Sequence, residues 1–154
     1  TARADGSHTI KIDVSDNDGN AATQKTVTFK VDTVPPTLSV TAPVAGLITN
    51  KAACTVTGTT NDITSSPVTV TIKLNSGSAE AVTVGADGSF SKSLTLASGN
   101  NTITIVATDS AGKSSTVTRT VTLDTTAPTI KSVTLTPNPV DAGKTYVISV
   151  EVTD

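Results

Sequence analysis

The sequence predicts an all-β fold: a seven-stranded, two-layer antiparallel sandwich, present once in full and twice in part. Three observations carry this. Apolar and polar residues alternate over short segments, the period-2 signature of half-buried strands. Turn-forming clusters interrupt those segments roughly every ten residues, as in antiparallel sandwiches. The chain also repeats itself: ADGSHTIKIDVSDNDGNAAT at 4–23 reappears as ASGNNTITIVATDSAGKSST at 97–116.

The repeat sets the frame, because self-similarity at a fixed period decides the architecture before any local reading does. Gly6 matches Gly99, Thr9 and Ile10 match Thr102 and Ile103, Asp16 matches Asp109, and Gly19 matches Gly112. VDTVPPT at 31–37 returns as LDTTAPT at 123–129, and TLSVTAP at 37–43 returns as TIKSVTLTP at 129–137 with a small insertion. One complete domain is therefore expected over 35–126. Residues 1–34 repeat the C-terminal part of such a domain, and 127–154 repeat the N-terminal part of a following one.

Within the complete unit, alternation marks strands at 37–42, 52–60, 68–74, 80–85, 89–96, 101–108 and 116–123. The connecting segments VAGLITN, NDITSSP, NSGSA, GADG, ASGN and DSAGKS are rich in turn formers and read as turns. Val68, Val70, Ile72 and Leu74 form one apolar face, Phe90, Leu94 and Leu96 another, and Ile103, Ile105 and Ala107 a third. The intervening Thr, Ser and Lys residues are expected to face water. Phe90 is the one aromatic of the unit and is expected at its centre. Tyr146 alternates in register with Ile148, Val150 and Val152, which predicts a core position.

Composition agrees with this reading. Of 154 residues, 32 are threonine and only 2% are aromatic, so the core must come from Val, Ile, Leu and Ala. Thr and Val favour a pleated, half-buried surface over a helix. The net charge of −2 supplies no basic field for nucleic acid or an anionic membrane. No apolar run approaches the ~20 residues of a spanning helix, so no membrane insertion is expected in this segment. The single cysteine, Cys54, excludes an intrachain disulfide and a cysteine-rich zinc site. It shares a strand face with Ala52 and Val56 and reads as a small buried hydrophobe.

The segments at 4–23 and 31–37 resemble the bacterial immunoglobulin-like domains strung in tandem in large secreted and surface proteins. That family's pattern ends with a strand, then Asp, a small residue, Gly, Asn, a last strand, and Val-Asp-Thr-x-x-Pro. Residues 16–20 and 109–113 fit it, except that Lys113 stands where Asn is usual. The resemblance covers the whole chain. It implies a seven-stranded immunoglobulin-like sandwich, a bacterial secreted or cell-surface location, and neighbouring domains of the same protein as partners. Such domains serve in adhesin stalks, in phage tails and filaments, and as accessory or carbohydrate-binding-associated modules of secreted glycan-degrading enzymes. Host-cell, glycan and self-association partners are all compatible with it.

The joint has its own physics. Pro35, Pro36 and Pro128 fix φ and remove a donor where a first strand begins, and each pushes the preceding residue into an extended form. About three linking residues held this way give a semi-rigid rod rather than loose beads.

Carboxylates gather at the same place. In a seven-stranded sandwich, the turns carrying Asp62, Asp87 and Asp109 lie at the pole where the chain enters, and the joint delivers Asp32 there. Like charges converging in one place repel unless a counter-charge sits among them. Calcium takes six to eight oxygens, and extracellular modules bind it at roughly 10⁻⁴–10⁻³ M. Asp124 takes the part of Asp32 at the second joint, and Asp154 falls 92 residues after Asp62. The resemblance points the same way, since related adhesin repeats stiffen their joints with calcium. Ordinary turn chemistry stands beside this reading, because Asp bonds the backbone of its own turn. DNDGN is not an EF-hand: its glycine is misplaced and Val27 stands where the bidentate Glu belongs.

No catalytic constellation emerges. The acids fall in turns rather than in a cleft, and His8 lies in a different repeat from Cys54. The sequence therefore predicts a non-catalytic structural repeat, a semi-rigid spacer or stalk. An accessory module of a secreted enzyme, or a phage tail component, is the other class.

Overall fold

The computed structural model describes residues 3–136, 138, 139 and 141–154. Pro137, the last residue of the second repeat match, lies outside the described residues. The chain divides after Leu123 into two compact units.

In the first unit, β1 (Gly6–Ile12) and β2 (Lys25–Val31) form a two-stranded antiparallel sheet. The turn between them is closed by Asp16, whose Oδ1 accepts the amides of Asp18 (3.0 Å) and Asn20 (2.8 Å). The following strands are β3 (Thr37–Ala42), β4 (Leu47–Thr49), β5 (Ala53–Asn61), β6 (Thr69–Leu74), β7 (Glu80–Val82), β8 (Ser89–Thr95), β9 (Gly99–Thr108) and β10 (Ser114–Leu123). They build two sheets, β3-β5-β8 and β4-β10-β9-β6-β7. Seven of them coincide with segments whose alternation predicts strands. The eighth, β4, lies in VAGLITN, where a turn is expected. It pairs in parallel with β10, so the chain leaves one sheet after β3 and joins the other.

One core fills the space between these sheets. Val56, Val70, Ile72, Phe90, Ile103, Ile105, Ala107 and Val121 are buried, each the inward residue of an alternating pair. Phe90 is indeed central, and its ring covers Gly58 of β5, where an added Cβ would lie 2.5 Å from Phe90 Cζ. Burying each such Val, Ile or Phe contributes about 1.5–3 kcal/mol. All of the buried apolar cluster belongs to β3–β10 and the segments joining them; β1 and β2 contribute nothing to it.

Two cations break the expected alternation. Lys92 of β8 occupies the inward register between Phe90 and Leu94 and is half-buried. Its Nζ reaches the open side of the sandwich and pairs with Glu80 Oε2 at 2.7 Å. A lysine turned inward on an edge strand blunts that edge against pairing with another chain. Arg119 of β10 is also inward and half-buried. Its Nη2 donates to the Val40 carbonyl at 3.1 Å, and the Ser115 hydroxyl donates to the Pro36 carbonyl at 2.6 Å. Both bonds reach carbonyls in or just before β3 and tie it to the opposite sheet.

Cys54 is buried and free, as expected, and burial raises its thiol pKa. The thiolate is the reactive form. A thiol reagent should therefore leave the native protein unlabelled and label it once denaturant unfolds the sandwich; equal rates in both states would contradict the packing.

The second unit holds β11 (Thr129–Thr136) and β12 (Val147–Thr153), paired antiparallel. The insertion of TIKSVTLTP relative to TLSVTAP is absorbed here. Lys131 stands unpaired between Ile130 and Ser132 as a β-bulge, leaving Val133 and Leu135 on the face of Ile130. Tyr146 departs from its expected core position and is 55% exposed. It lies one residue before β12, outside the paired register, and Ile148 and Val150, with which it is expected to alternate, are themselves exposed.

Candidate cation site at the first joint

The site is built from three turns. Asp32 follows directly on β2, and its Oδ1 accepts the Val34 amide at 3.1 Å, bending the joint into an Asx turn. Asp124 does the same after β10, accepting the Thr126 amide at 2.9 Å, so the repeated Asp-Thr-x-x-Pro segment encodes one local structure twice. Asp62 follows on β5; its Oδ1 accepts the amides of Thr64 and Ser65, both at 2.8 Å. Asp109 follows on β9; its Oδ1 accepts the amides of Ala111 and Lys113, both at 2.8 Å. The two loops are joined, because the Ser110 amide donates to the Ser65 carbonyl at 3.0 Å.

These turns bring Asp32, Asp62 and Asp109 together, with one carboxylate oxygen of each lying within 4.8 Å of the others. Asp62 and Asp109 are buried and Asp32 is half-buried. Each spends one oxygen on its own turn. Asp32 Oδ2 and Asp109 Oδ2 are then left buried, with no hydrogen bond of acceptable geometry. A buried anionic oxygen without a partner is costly. The neighbouring Ser65 side chain, then the Val34 amide and the charge of Lys113, hold the Asp32 carboxyl below its ordinary pKa against the opposing effect of burial.

The repeat supplies an internal control. In the matching turn of the first hairpin, Asn20 Nδ2 donates to Asp16 Oδ2 at 2.8 Å and closes that oxygen. Lys113 stands at the equivalent position after Asp109 and makes no such bond, so Asp109 Oδ2 stays open. Three converging carboxylates, two of them with a buried oxygen left open, are hard donors that suit calcium or magnesium rather than soft metals. The residues present therefore fit such an ion.

The other carboxylates named from the sequence lie elsewhere. Asp87 shares a groove of about 440 Å³ with Asp62, between the loops at 60–62, 66–68 and 84–88. Its Oδ1 is used by its own turn, accepting the Ser89 hydroxyl at 2.7 Å and amide at 3.0 Å, and those bonds lower its pKa. No aromatic side chain lines the groove, so it offers no stacking platform for a sugar. Asp124 and Asp154 belong to the second unit and are exposed, and the group at Asp32 is the one three-acid cluster among the described residues. Pro36 is fully buried, whereas Pro35 and Pro128 are exposed.

Two contributors escape a reading by spacing. Asp5 anchors the joint, its Oδ1 accepting the Thr33 amide and its two oxygens the Thr33 hydroxyl, all at 3.0 Å. Lys30 Nζ reaches from the hairpin to the Thr64 carbonyl at 3.3 Å. The Asn100–Asn101–Thr102 segment conceals a structural residue: Asn101 is fully buried and organises the opposite pole.

A three-stranded sheet facing a five-stranded one, with β4 switching sheets and acidic loops gathered at one pole, defines an immunoglobulin-like sandwich module. The chain belongs to the glucodextranase domain B family, which matches residues 36–125. This agrees with the immunoglobulin-like resemblance carried by residues 4–23 and 31–37. No curated protein sequence matches the chain. Similar solved structures include a tetra-tandem repeat in the extending region of a large adhesion protein, at 24% identity and a TM-score of 0.48, covering 96% of this chain and 45% of that one. Fibronectin(III)-like modules of CbhA from Clostridium thermocellum match at 21% identity and a TM-score of 0.48, covering 80% of this chain and 65% of theirs. An engineered protein matches at 20% identity and a TM-score of 0.46, covering 58% and 20%. The chain spans less than two thirds of the length of each. No helix among the described residues is long and apolar enough to cross a membrane.

Proposed function

We propose that the chain is a non-catalytic spacer segment of a secreted or cell-surface protein, in which sandwich modules bounded at 34/35 and 126/127 are held in line by stiff joints. Calcium is the proposed ion of the first joint, held by Asp32, Asp62 and Asp109. The carrying observation is that two buried carboxylate oxygens, Asp32 Oδ2 and Asp109 Oδ2, meet there without partners. Asp32 belongs to the joint, while Asp62 and Asp109 belong to the sandwich. An ion shared by all three would fix the angle between the hairpin and the sandwich. Neighbouring modules of the same protein are the partners this role requires. Membership of the glucodextranase domain B family favours a second reading, in which the same rigid module accompanies the catalytic part of a secreted glycan-degrading enzyme.

Thermal unfolding with calcium and with chelator tests the ion. At a hundredfold excess over Kd, calcium should stabilise the native chain by about 2.7 kcal/mol. Lys113→Asn offers a sharper arm, because an asparagine there can close Asp109 Oδ2 as Asn20 closes Asp16 Oδ2. That variant should melt higher than the parent in chelator and lose most of the calcium shift. A parent protein whose midpoint ignores calcium would refute the site, and an undiminished shift in Lys113→Asn would refute the role of Asp109 Oδ2.

A further inference from the structure

A lysine stands beside the open oxygens of the first joint without bonding to them. Asp109 is 6% exposed, and its Oδ2 lies buried and without a partner where three carboxylates converge. Anions gathered in this way call for a counter-charge. Lys113 starts at the edge of the group. Its amide donates to Asp109 Oδ1 at 2.8 Å, and its carbonyl accepts the Asp109 amide at 3.0 Å. The residue itself is exposed.

Its ammonium makes no direct bond to the acids. Lys92–Glu80 is the one ion pair among the described residues. The charge of Lys113 nonetheless acts on Asp32. It therefore balances the acids through space and leaves their oxygens free. Lys30, the other cation at this pole, is already held, since its Nζ donates to the Thr64 carbonyl at 3.3 Å. In the first hairpin the equivalent residue, Asn20, is neutral and closes the Asp16 oxygen by a direct bond. Lysine in place of asparagine thus exchanges a closed oxygen for an open one with a tethered charge beside it.

Resting on the calcium reading of this joint, we infer that the Lys113 ammonium is the resident counter-ion of Asp32, Asp62 and Asp109 when calcium is low, and that it competes with calcium for them. Its charge then sets the calcium concentration at which the joint stiffens. An ion entering the group meets a like charge, and the exposed side chain gives way by turning into water.

Calorimetric titration of the whole chain with calcium chloride tests this on the parent, Lys113→Met and Lys113→Arg. Methionine keeps the backbone amide and nearly the length, but it carries no charge and no donor to close Asp109 Oδ2. A unit charge several ångströms from a divalent ion alters its binding about tenfold even when screened as in water. Lys113→Met should therefore bind calcium about tenfold more tightly than the parent, opposite in sign to Lys113→Asn, and should melt below the parent in chelator. Lys113→Arg, which keeps the charge, should match the parent in both. A parent that binds calcium, with an equal or weaker affinity in Lys113→Met, leaves the ion site standing and overturns the role of Lys113. Equal changes in Lys113→Arg and Lys113→Met also overturn it, because shape rather than charge would then be the cause. So does a Lys113→Met that melts no lower than the parent in chelator. A parent that binds no calcium refutes the ion site itself, and the competition falls with it.

Discussion

Asn101→Ala should lower the stability of the sandwich by about 2–4 kcal/mol, because it strands several buried polar groups that each cost roughly 1–3 kcal/mol unpaired. Asn101 Oδ1 accepts the Ala97 amide at 2.9 Å and Asn75 Nδ2 at 3.1 Å, while its Nδ2 donates to the carbonyls of Ala97 at 2.7 Å and Gly99 at 2.9 Å. All four of its hydrogen-bonding positions are filled. The side chain stitches the β8–β9 connection to the end of β6 at the pole opposite the acidic cluster. At about 4–8 °C per kcal/mol for a domain of this size, the midpoint should fall by roughly 8–30 °C. A loss under about 1 kcal/mol, the worth of a single ordinary hydrogen bond, would show that the network is not what closes this pole.

Gly58→Ala should also destabilise the sandwich. The glycine lies in the inward register of β5, between Val56 and Thr60. A methyl group there would lie 2.5 Å from Phe90 Cζ and overlap the Ser39 carbonyl oxygen of the neighbouring strand. The ring can shift at a packing cost, but the backbone oxygen belongs to a paired strand and has little freedom. Overpacking of this kind costs about 1–3 kcal/mol or more. Adding Phe90→Leu should recover part of the loss and leave the part caused by Ser39. This non-additivity is measurable by denaturant unfolding of the two single variants and the double. Full recovery would assign the whole clash to the ring, and no loss in Gly58→Ala would mean the sheets can part locally at no cost.

The long strands were legible because alternation is a local signal, and each of β5, β6, β8, β9 and β10 carries it. β4 was not. Three residues are too few to show a period, and β4 exists only because β10, some seventy residues on, offers an edge to pair with. Lys92 departs from the expectation that the lysines between apolar residues face water, and the inward places of Arg119 and Asn101 carry no expectation from residue type. Each lies two residues from a buried or half-buried apolar neighbour on the same strand face, and that parity is the signal that could have found them.

At the site, topology brought Asp32, Asp62, Asp87 and Asp109 into a single expectation, of which the structure gathers the first, second and fourth. Sequence could not say which oxygens their turns would consume. Asp87 reads like Asp109 in the sequence, yet it differs in having Ser89 within reach of its carboxylate. The exchange of Asn20 for Lys113 was visible as a departure from the family pattern, but its consequence for Asp109 Oδ2 depends on hydrogen-bond geometry. Asp5 gave no signal, since its counterpart 93 residues on is Ser98.

Stiffness at the first joint is the claim on which the spacer function stands, and a distance distribution measures it. Spin labels at Thr28 on β2 and Ser91 on β8, both exposed, report the hairpin against the sandwich by pulsed electron resonance. The account predicts one narrow distance in calcium that broadens in chelator, and a distribution in Lys113→Asn that calcium and chelator change far less. A broad distribution in saturating calcium would contradict it.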